Sequence, residues 1–529
     1  MERHPQRIAA MGEFEFPEEI IHQIQSLMSD QREAARTTLV SKSWYGAWST
    51  RPNLRFHEFE LGERFPQWAR KTLQRYEDLN LNIQTFNLRM YKDDSLAREL
   101  ILKAIKLGVI DLTIEYIKWW FDLPDEVLES QTLTRLSVSG CTVDLGRRKK
   151  KEIITCSTLK SLTLSGVYVN GDFYEGLIWR FPLIEELTLK QPKRLVFDVG
   201  AMLKLHKLKS LRMESLLVFI VDLERRNKPL TSSNLKSLTL SSTLTEGDFS
   251  YLSHRFPLLE ELTVEGCFKP FLPFYGCTTK LNKLKFLQLV RLNTQDSLTQ
   301  SELWLQFPCL NTLVIRDCLF KANGNDVIRI CSLSLDCVTI SSCGTKTKLE
   351  FDVPNMRKFK FEGYDVPRLK LKTSSREWES DIRIICCVDM GSASWWCSLK
   401  QFVKLMSPSR VSLALYVNLP QLGDQNGYVG DGLAVPVVEN LTISGSVFSQ
   451  VSLAFLNALL QSCGPNFVNI QRKCVRGIEK ENVEQFPHLS SLPWNTLLDD
   501  STNHLGEEFV RFQLIQGPRS FPSIEDFYG

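Results

Sequence analysis

The hydrophobic positions of this chain recur with a period of about 25 residues. The pattern apolar-x-x-apolar-x-apolar begins at Ile83, Val109, Leu133, Leu159, Ile184, Leu208, Leu235, Leu259, Leu284, Leu310, Leu335 and Met356, at intervals of 21 to 27 residues. A looser continuation runs through Ile382–Ile384, Leu413–Leu415 and Val438–Ile443. Alternation inside each unit predicts a short strand that buries one face. One such unit cannot offset the entropy of ordering itself, so neighbours must stack. A period of this size predicts a solenoid. The fold class is therefore α/β, a curved horseshoe with a parallel sheet on the concave side and helices and turns on the convex side.

A near-duplication gives the grammar of a unit. Leu159–Leu189 and Leu235–Val264 share LKSLTL, a Gly-Asp-Phe turn, Arg-Phe-Pro and a Glu-Glu-Leu-Thr strand, at an offset of 76 residues. Asp172 and Asp248 are placed as N-caps. Helices over Phe173–Arg180 and Phe249–Arg255 come next. Phe181-Pro182 and Phe256-Pro257 stop them, because a residue before proline leaves the α region. Phe307-Pro308 repeats the device. Gln421–Pro436 is rich in glycine and aspartate and reads as a loop. Val451–Cys463 reads as a helix that caps the array.

A different period governs the N-terminus. Pro17 suits a helix start, with Glu18 and Glu19 in the first turn. Ile20, Ile21, Ile24 and Leu27 share one helical face. Asp30 and Glu33 form a capping box for a second helix reaching about Val40. A third helix opens near Ser41, carries Trp44 and Trp48, and stops at Pro52. Three short helices have more apolar residues than so small a core can bury, which predicts a docked partner.

Composition narrows the chemistry. The net charge of +3 over 529 residues, with charges interspersed, argues against nucleic acid as the main partner. No apolar run is long enough to span a membrane, and Met1–Glu15 lacks the apolar core of a secretory signal, so cytoplasm or nucleus is expected. Cys141, Cys267, Cys318 and Cys343 each lie eight residues after a repeat anchor, the inward Asn/Cys position of leucine-rich repeats. All 14 cysteines are expected as reduced thiols without metal. No P-loop, HExxH or G-x-S-x-G motif occurs, so no catalytic residues and no cofactor are assigned. The basic run Arg147–Lys151 reads as a solvated loop, or as a nuclear-targeting or acid-binding segment.

The N-terminal stretch resembles an F-box, and the whole chain resembles a plant-type F-box/leucine-rich-repeat protein. Phe16-Pro17, the apolar helix, Arg36-Thr37, Val40-Ser41-Lys42, Trp44, Trp48 and Pro52-Asn53-Leu54 carry the resemblance, with Phe16 where the family has leucine. The Phe-Pro-x-(Leu/Ile)-Glu-Glu-Leu phrase extends it into the repeats. It implies an F-box at 12–57, a connecting segment at 58–82, leucine-rich repeats at 83–450 and a helical cap with a frayed tail at 451–529. It also implies that Pro17, Ile20, Ile21, Ile24, Leu27, Val40, Trp44 and Trp48 dock on the Skp-type adaptor of a cullin ubiquitin ligase. The repeats would hold a protein substrate, and the chain itself would do no bond chemistry. Two alternatives stand beside this. One is a hormone-like sensor with a bound inositol phosphate, which needs convergent basic residues where the concave side offers only Arg89, Arg135, Arg212, Arg316, Lys358 and Lys360, spread over many repeats. The other is an interaction scaffold outside any ligase.

Residues two, four and six after each anchor are expected to face outward from the sheet. The central row is mostly threonine. Phe286, Val290 and Val314 break it on adjacent strands, rimmed by Glu261, Glu265 and Arg316. Phe286, Val290, Val314 and Arg316 are therefore candidate substrate contacts, unless a loop or a register shift buries them.

Overall fold

The computed structural model describes residues 16–28, 31–117, 121–145, 155–169, 173–191, 197–214, 220–221, 234–241, 255–266, 281–294, 306–320, 327–343, 348–375, 377–386, 393–417, 436–445, 459, 462–472 and 508–513. The chain forms two compact units that divide between about residues 215 and 228. The division falls inside the repeat array.

In the first unit the main strands are β1 (Asn53–His57), β2 (Thr85–Met90), β3 (Asp111–Tyr116), β4 (Arg135–Ser139), β5 (Ser161–Ser165), β6 (Glu186–Lys190) and β7 (Ser210–Glu214). Each pairs in parallel with the next. In the second unit the strands are β8 (Ser237–Ser241), β9 (Glu261–Glu265), β10 (Phe286–Val290), β11 (Thr312–Arg316), β12 (Cys337–Ser341), β13 (Lys358–Gly363), β14 (Glu379–Cys386), β15 (Arg410–Val417), β16 (Val437–Gly445), β17 (Gly464–Arg472) and β18 (Glu508–Gln513). These pair in sequence order, all in parallel until β18, which lies antiparallel to β17. Parallel strands in chain order, one per repeat, are consistent with a solenoid-like leucine-rich array.

Every repeat anchor from Ile83 to Met356 is buried, at 3% exposure or less. The second and third apolar positions of each unit, such as Leu162 and Leu164 or Leu287 and Leu289, are buried as well. The looser continuation is equally internal: Ile382, Ile384, Leu413, Leu415, Val438, Leu441 and Ile443 sit in the core. The array also starts ahead of Ile83. Leu54 and Phe56 of β1 are buried, and the amphipathic helix α4 (Phe65–Asp78) fills the interval to β2, with Phe65, Ala69, Leu73 and Tyr76 inward.

The helix Phe173–Arg180 occurs with the expected bounds, and Phe181, Phe256 and Phe307 are each 1% exposed. Asp30, Asp172, Asp248, Cys267, the segment 249–254, the run 147–151 and the loop 421–435 lie outside the described residues. The expectation of a purely helical C-terminal cap is corrected. Leu459 and Ser462 are helical, and the rest of the expected helix up to 461 lies outside the described residues. Beyond it, β17 and β18 are strands that extend the sheet. Val468 and Ile470 stand two apart in β17, and Val468 is buried, so this stretch has the period of a strand.

Seven strands of the array end in the same corner. Gly140, Gly166, Gln191, Gly266, Arg291, Asp317 and Ser342 follow β4, β5, β6, β9, β10, β11 and β12, and all have positive φ. Each donates its N–H across to the next repeat, to the carbonyls of Ser165, Lys190, Glu214, Val290, Arg316, Ser341 and Glu362. The left-handed turn therefore leaves no orphan donor at these positions as the chain leaves the sheet.

Cys141, Cys318 and Cys343 are buried at the inward position, and Cys156 and Cys463 are buried too. Burial pushes the Cys141 and Cys463 thiols up to about 12. A thiol held protonated is a poor nucleophile. Among the described cysteines, native alkylation is therefore expected to label the exposed Cys309 and Cys397 first. Cys141, Cys156, Cys318, Cys343 and Cys463 should react only after denaturation. Mass spectrometry of iodoacetamide-treated native protein checks this, and early labelling of Cys141 would contradict its placement.

Candidate functional site

The N-terminal helices are α1 (Glu18–Leu27), α2 (Gln31–Arg36) and α3 (Lys42–Thr50), with a 3-10 turn at Thr37–Leu39. Pro17 occupies the N-cap position of α1. The Ser41 hydroxyl caps α3 by accepting from the Trp44 N–H at 3.4 Å. Three polar ties fix α1 to the 3-10 turn and to α3. His22 Nε2 lies 2.8 Å from the Ala47 carbonyl, Gln25 Nε2 donates to Thr37 Oγ1 at 3.0 Å, and the Thr50 hydroxyl donates to Glu18. Phe16 meets Trp44 edge-on, with centroids 6.4 Å apart.

Burial separates the candidate docking residues into two groups. Ile21 is fully buried with Ala34 and Ala47, so it belongs to the core of these helices and cannot meet a partner. Helical spacing alone groups it with the exposed residues of α1. Ile24, Trp44 and Trp48 are half-buried, and Pro17 is exposed. Ile20, Leu27 and Val40 are exposed at 39%, 84% and 68%. Leu39 and Tyr45, at 86% and 60%, add to the exposed apolar surface, although the helical pattern does not assign them. The 3-10 turn at 37–39 rotates Leu39 outward, where a continuous α-helix through Val40 would have given a different facing.

Arg51 joins these helices to the first repeat. It is 7% exposed, its guanidinium stacks 3.5 Å over the Trp48 ring, and Nη1 donates to the Trp48 carbonyl at 2.6 Å. Its own carbonyl accepts from the Tyr76 hydroxyl of α4 at 2.5 Å. Desolvation lowers the Arg51 pKa to about 10.

The second candidate surface is the open face of the parallel sheets. From Asn53 to Glu362 every open-face position of the main strands is polar except Phe286, Val290, Val314 and Cys337. Those four lie on β10, β11 and β12. Phe286 stands in register with Glu261 and Thr312, Val314 with Gln288 and Thr339, and Val290 with Glu265 and Arg316. Phe286 and Val314 are half-buried, Arg316 is exposed, and Val290 is 9% exposed, forming the floor rather than the rim.

The charges around this patch are not equally engaged. Glu260 binds both flanking lysines, Lys285 at 2.7 Å and Lys236 at 2.9 Å, which brings its carboxyl down to about 2. Glu261 has no cation among the described residues. Glu265 is taken by Arg291. Arg316 has no carboxylate among the described residues. Of the six basic residues considered for an inositol phosphate, Arg89, Arg135, Arg212 and Lys360 are paired with Glu115, Asp111, Glu214 and Asp381 at 3.3, 2.5, 2.5 and 3.4 Å. The remaining two, Arg316 and Lys358, are on different strands. Four of these six basic residues are therefore already engaged by carboxylates. The described residues contain no group of three or more His, Cys, Asp or Glu side chains placed to hold a metal ion, and no helix long and apolar enough to cross a membrane.

No protein-family model matches the chain. Curated relatives do. A putative F-box protein of Arabidopsis thaliana is 25% identical over 219 residues, 33% of this chain and 43% of the relative. A putative F-box/LRR-repeat protein of the same plant is 25% identical over 214 residues, 35% of this chain and 33% of the relative. F-box/LRR-repeat protein 25 of Arabidopsis thaliana is 23% identical over 195 residues, 36% of this chain and 72% of the relative. The chain spans less than half the length of the first two. Over about a third of its length it is similar to plant F-box and F-box/LRR-repeat proteins.

Proposed function

We propose that this chain is the substrate-recognition subunit of a Skp–cullin–F-box ubiquitin ligase. Helices α1–α3 act as the F-box that docks on the Skp-type adaptor, and the repeats hold a protein substrate. The observation that supports this most is the apolar surface of Ile20, Leu27, Leu39, Val40 and Tyr45, on a module too small to bury it. The F-box names of the relatives agree with the reading. The task of such a chain is positioning. Holding a substrate lysine near a charged ubiquitin-conjugating enzyme converts a collision into a local event. The cytoplasm or the nucleus is the setting where this reading applies.

The test is co-purification with the adaptor. Leu39→Asp combined with Val40→Asp places two charges on an exposed surface. The expected outcome is loss of adaptor capture with a melting temperature within about 2 °C of wild type, because exposed sites carry little stability. Ile21→Ala should behave oppositely, lowering stability by about 2–5 kcal/mol as a core truncation. Undiminished capture by the Leu39/Val40 variant would refute the docking assignment.

A further inference from the structure

We propose that the patch on β9–β11 receives an extended peptide segment of its partner, of the form basic-x-apolar-x-acidic, with the three named side chains facing the sheet. This deepens the reading of the repeats as the substrate-holding part, and it rests on that reading.

The open face is uniformly polar up to Glu362 except at Phe286, Val314, Cys337 and the floor residue Val290. Threonine and serine suit an exposed strand and need no partner. A phenylalanine and a valine left half-exposed among them do not follow from strand preference. An isolated apolar island within polar surroundings is the anatomy of a recognition centre.

Charge then says what the occupant carries. Glu261 lies on one side of Phe286, in register with it on β9. Arg316 lies past Val314, two positions along β11. Both are exposed. Around β9 and β10 the opposite charges beside them are engaged: Glu260 draws in Lys236 and Lys285, and Glu265 draws in Arg291. On the open face of β9–β11 the remainder is one carboxylate, an apolar centre and one guanidinium on a diagonal line. A complementary segment needs a cation, an apolar group and an anion in that order.

Spacing fixes the intervals. Glu261 and Arg316 are two strands apart and four residues apart along the strand direction. With strands about 4.8 Å apart and a rise of about 3.3 Å per residue, the diagonal is about 16 Å. In an extended peptide, residues i, i+2 and i+4 share a face and span about 13 Å. Long charged side chains cover the difference. A helix would need about nine residues for the same span, at about 1.5 Å each.

The experiment uses the purified full chain and four fluorescent nine-residue peptides, with adaptor capture assayed separately. Their cores are lysine–threonine–leucine–threonine–glutamate, the lysine/lysine and glutamate/glutamate versions of it, and a version with alanine at the centre. Fluorescence anisotropy is expected to show the mixed-charge peptide binding at least tenfold more tightly than either like-charged one. Central alanine should weaken it about 30-fold, the scale of a lost hot-spot anchor. Arg316→Glu should move the preference to the lysine/lysine peptide, and Glu261→Lys to the glutamate/glutamate peptide. Phe286→Ala should abolish all preference, and Val314→Asp repeats that test if Phe286→Ala proves unstable. Equal binding of all four peptides, no binding of any, or an unchanged preference in Arg316→Glu would overturn the proposal. A wild-type dimer in sedimentation that Arg316→Glu dissolves would overturn it too, assigning the patch to a second copy of the chain. Failure of the wild type to capture the adaptor would overturn the ligase reading alone, since peptide preference is read independently of it.

Discussion

Replacing Phe56 by alanine is expected to destabilise the first unit by about 3–5 kcal/mol, the range for truncating a fully buried aromatic ring. Phe56 is 0% exposed on β1. Its ring meets Trp68 at 4.8 Å, Phe86 at 5.1 Å and Phe65 at 6.3 Å between centroids. It therefore ties the first strand, the second strand and α4 together in one contact set. Edge-to-face aromatic pairs add about 0.5–1.5 kcal/mol each to simple burial, so the upper part of the range is expected. At about 2–4 °C per kcal/mol for a unit of this size, calorimetry should show a fall of about 10 °C. Asn53→Ala on the same strand, whose side chain is exposed, should shift the transition by less than about 2 °C. Equal shifts for the two would contradict the assignment of β1 to the buried stack.

The second large effect is expected at a strand corner. Gly140 has φ +71°, and a Cβ there would sit 1.9 Å from the Tyr116 carbonyl oxygen and 3.0 Å from its carbon. The obstruction is backbone of the preceding repeat, so a rotamer change cannot relieve it. Gly140→Ala carries about 1–2 kcal/mol for the left-handed conformation and a further overpacking cost of about 1–3 kcal/mol. Gly266 occupies the same corner in the second unit with φ +76° and nothing within 4 Å of a built Cβ. Gly266→Ala should cost only the conformational part. Denaturant melts of the two variants separate backbone strain from collision, and a Gly266→Ala cost as large as that of Gly140→Ala would refute the distinction.

Much of the array was legible because repetition amplifies a weak signal. A single LKSLTL is ambiguous, but twelve anchors at similar spacing are not, and all of them are buried. The Phe-Pro stops were legible because proline acts on its neighbour locally. The features that escaped did so for physical reasons. β1 has only Leu54 and Phe56 inward and no preceding anchor at the right distance, so periodicity could not find it. Short second ladders such as Phe121–Asp122, Cys141–Val143 and Tyr168–Val169 form by pairing between repeats, which no single repeat encodes. The corners were partly visible as Ser139-Gly140, Ser165-Gly166 and Glu265-Gly266, but Gln191, Arg291, Asp317 and Ser342 hide the rule behind side chains that tolerate φ near 50°. In the N-terminal helices the apolar set was legible and its facing was not. Ile20 and Ile21 are adjacent, and only the tertiary packing of the three helices decides that Ile21 goes in and Ile20 stays out. On the open face, alternation located Phe286 and Val314, whereas the capture of two lysines from neighbouring repeats by Glu260 is set by tertiary contact.

The Arg51 clasp sets a limit on reach. An F-box joined to its repeats by a loose tether would sweep a volume, and the local concentration of anything carried would fall as the tether lengthened. Here the guanidinium is packed on Trp48, and the Tyr76 hydroxyl grips the Arg51 carbonyl from α4. The three helices therefore leave the first strand at one bearing, like the fixed arm of a caliper. Under the ligase reading proposed above, a cargo lysine within that arm's compass would be met more often than one outside it. Selection among lysines of a single bound protein would then follow from the geometry of this joint, independently of how tightly the protein is held.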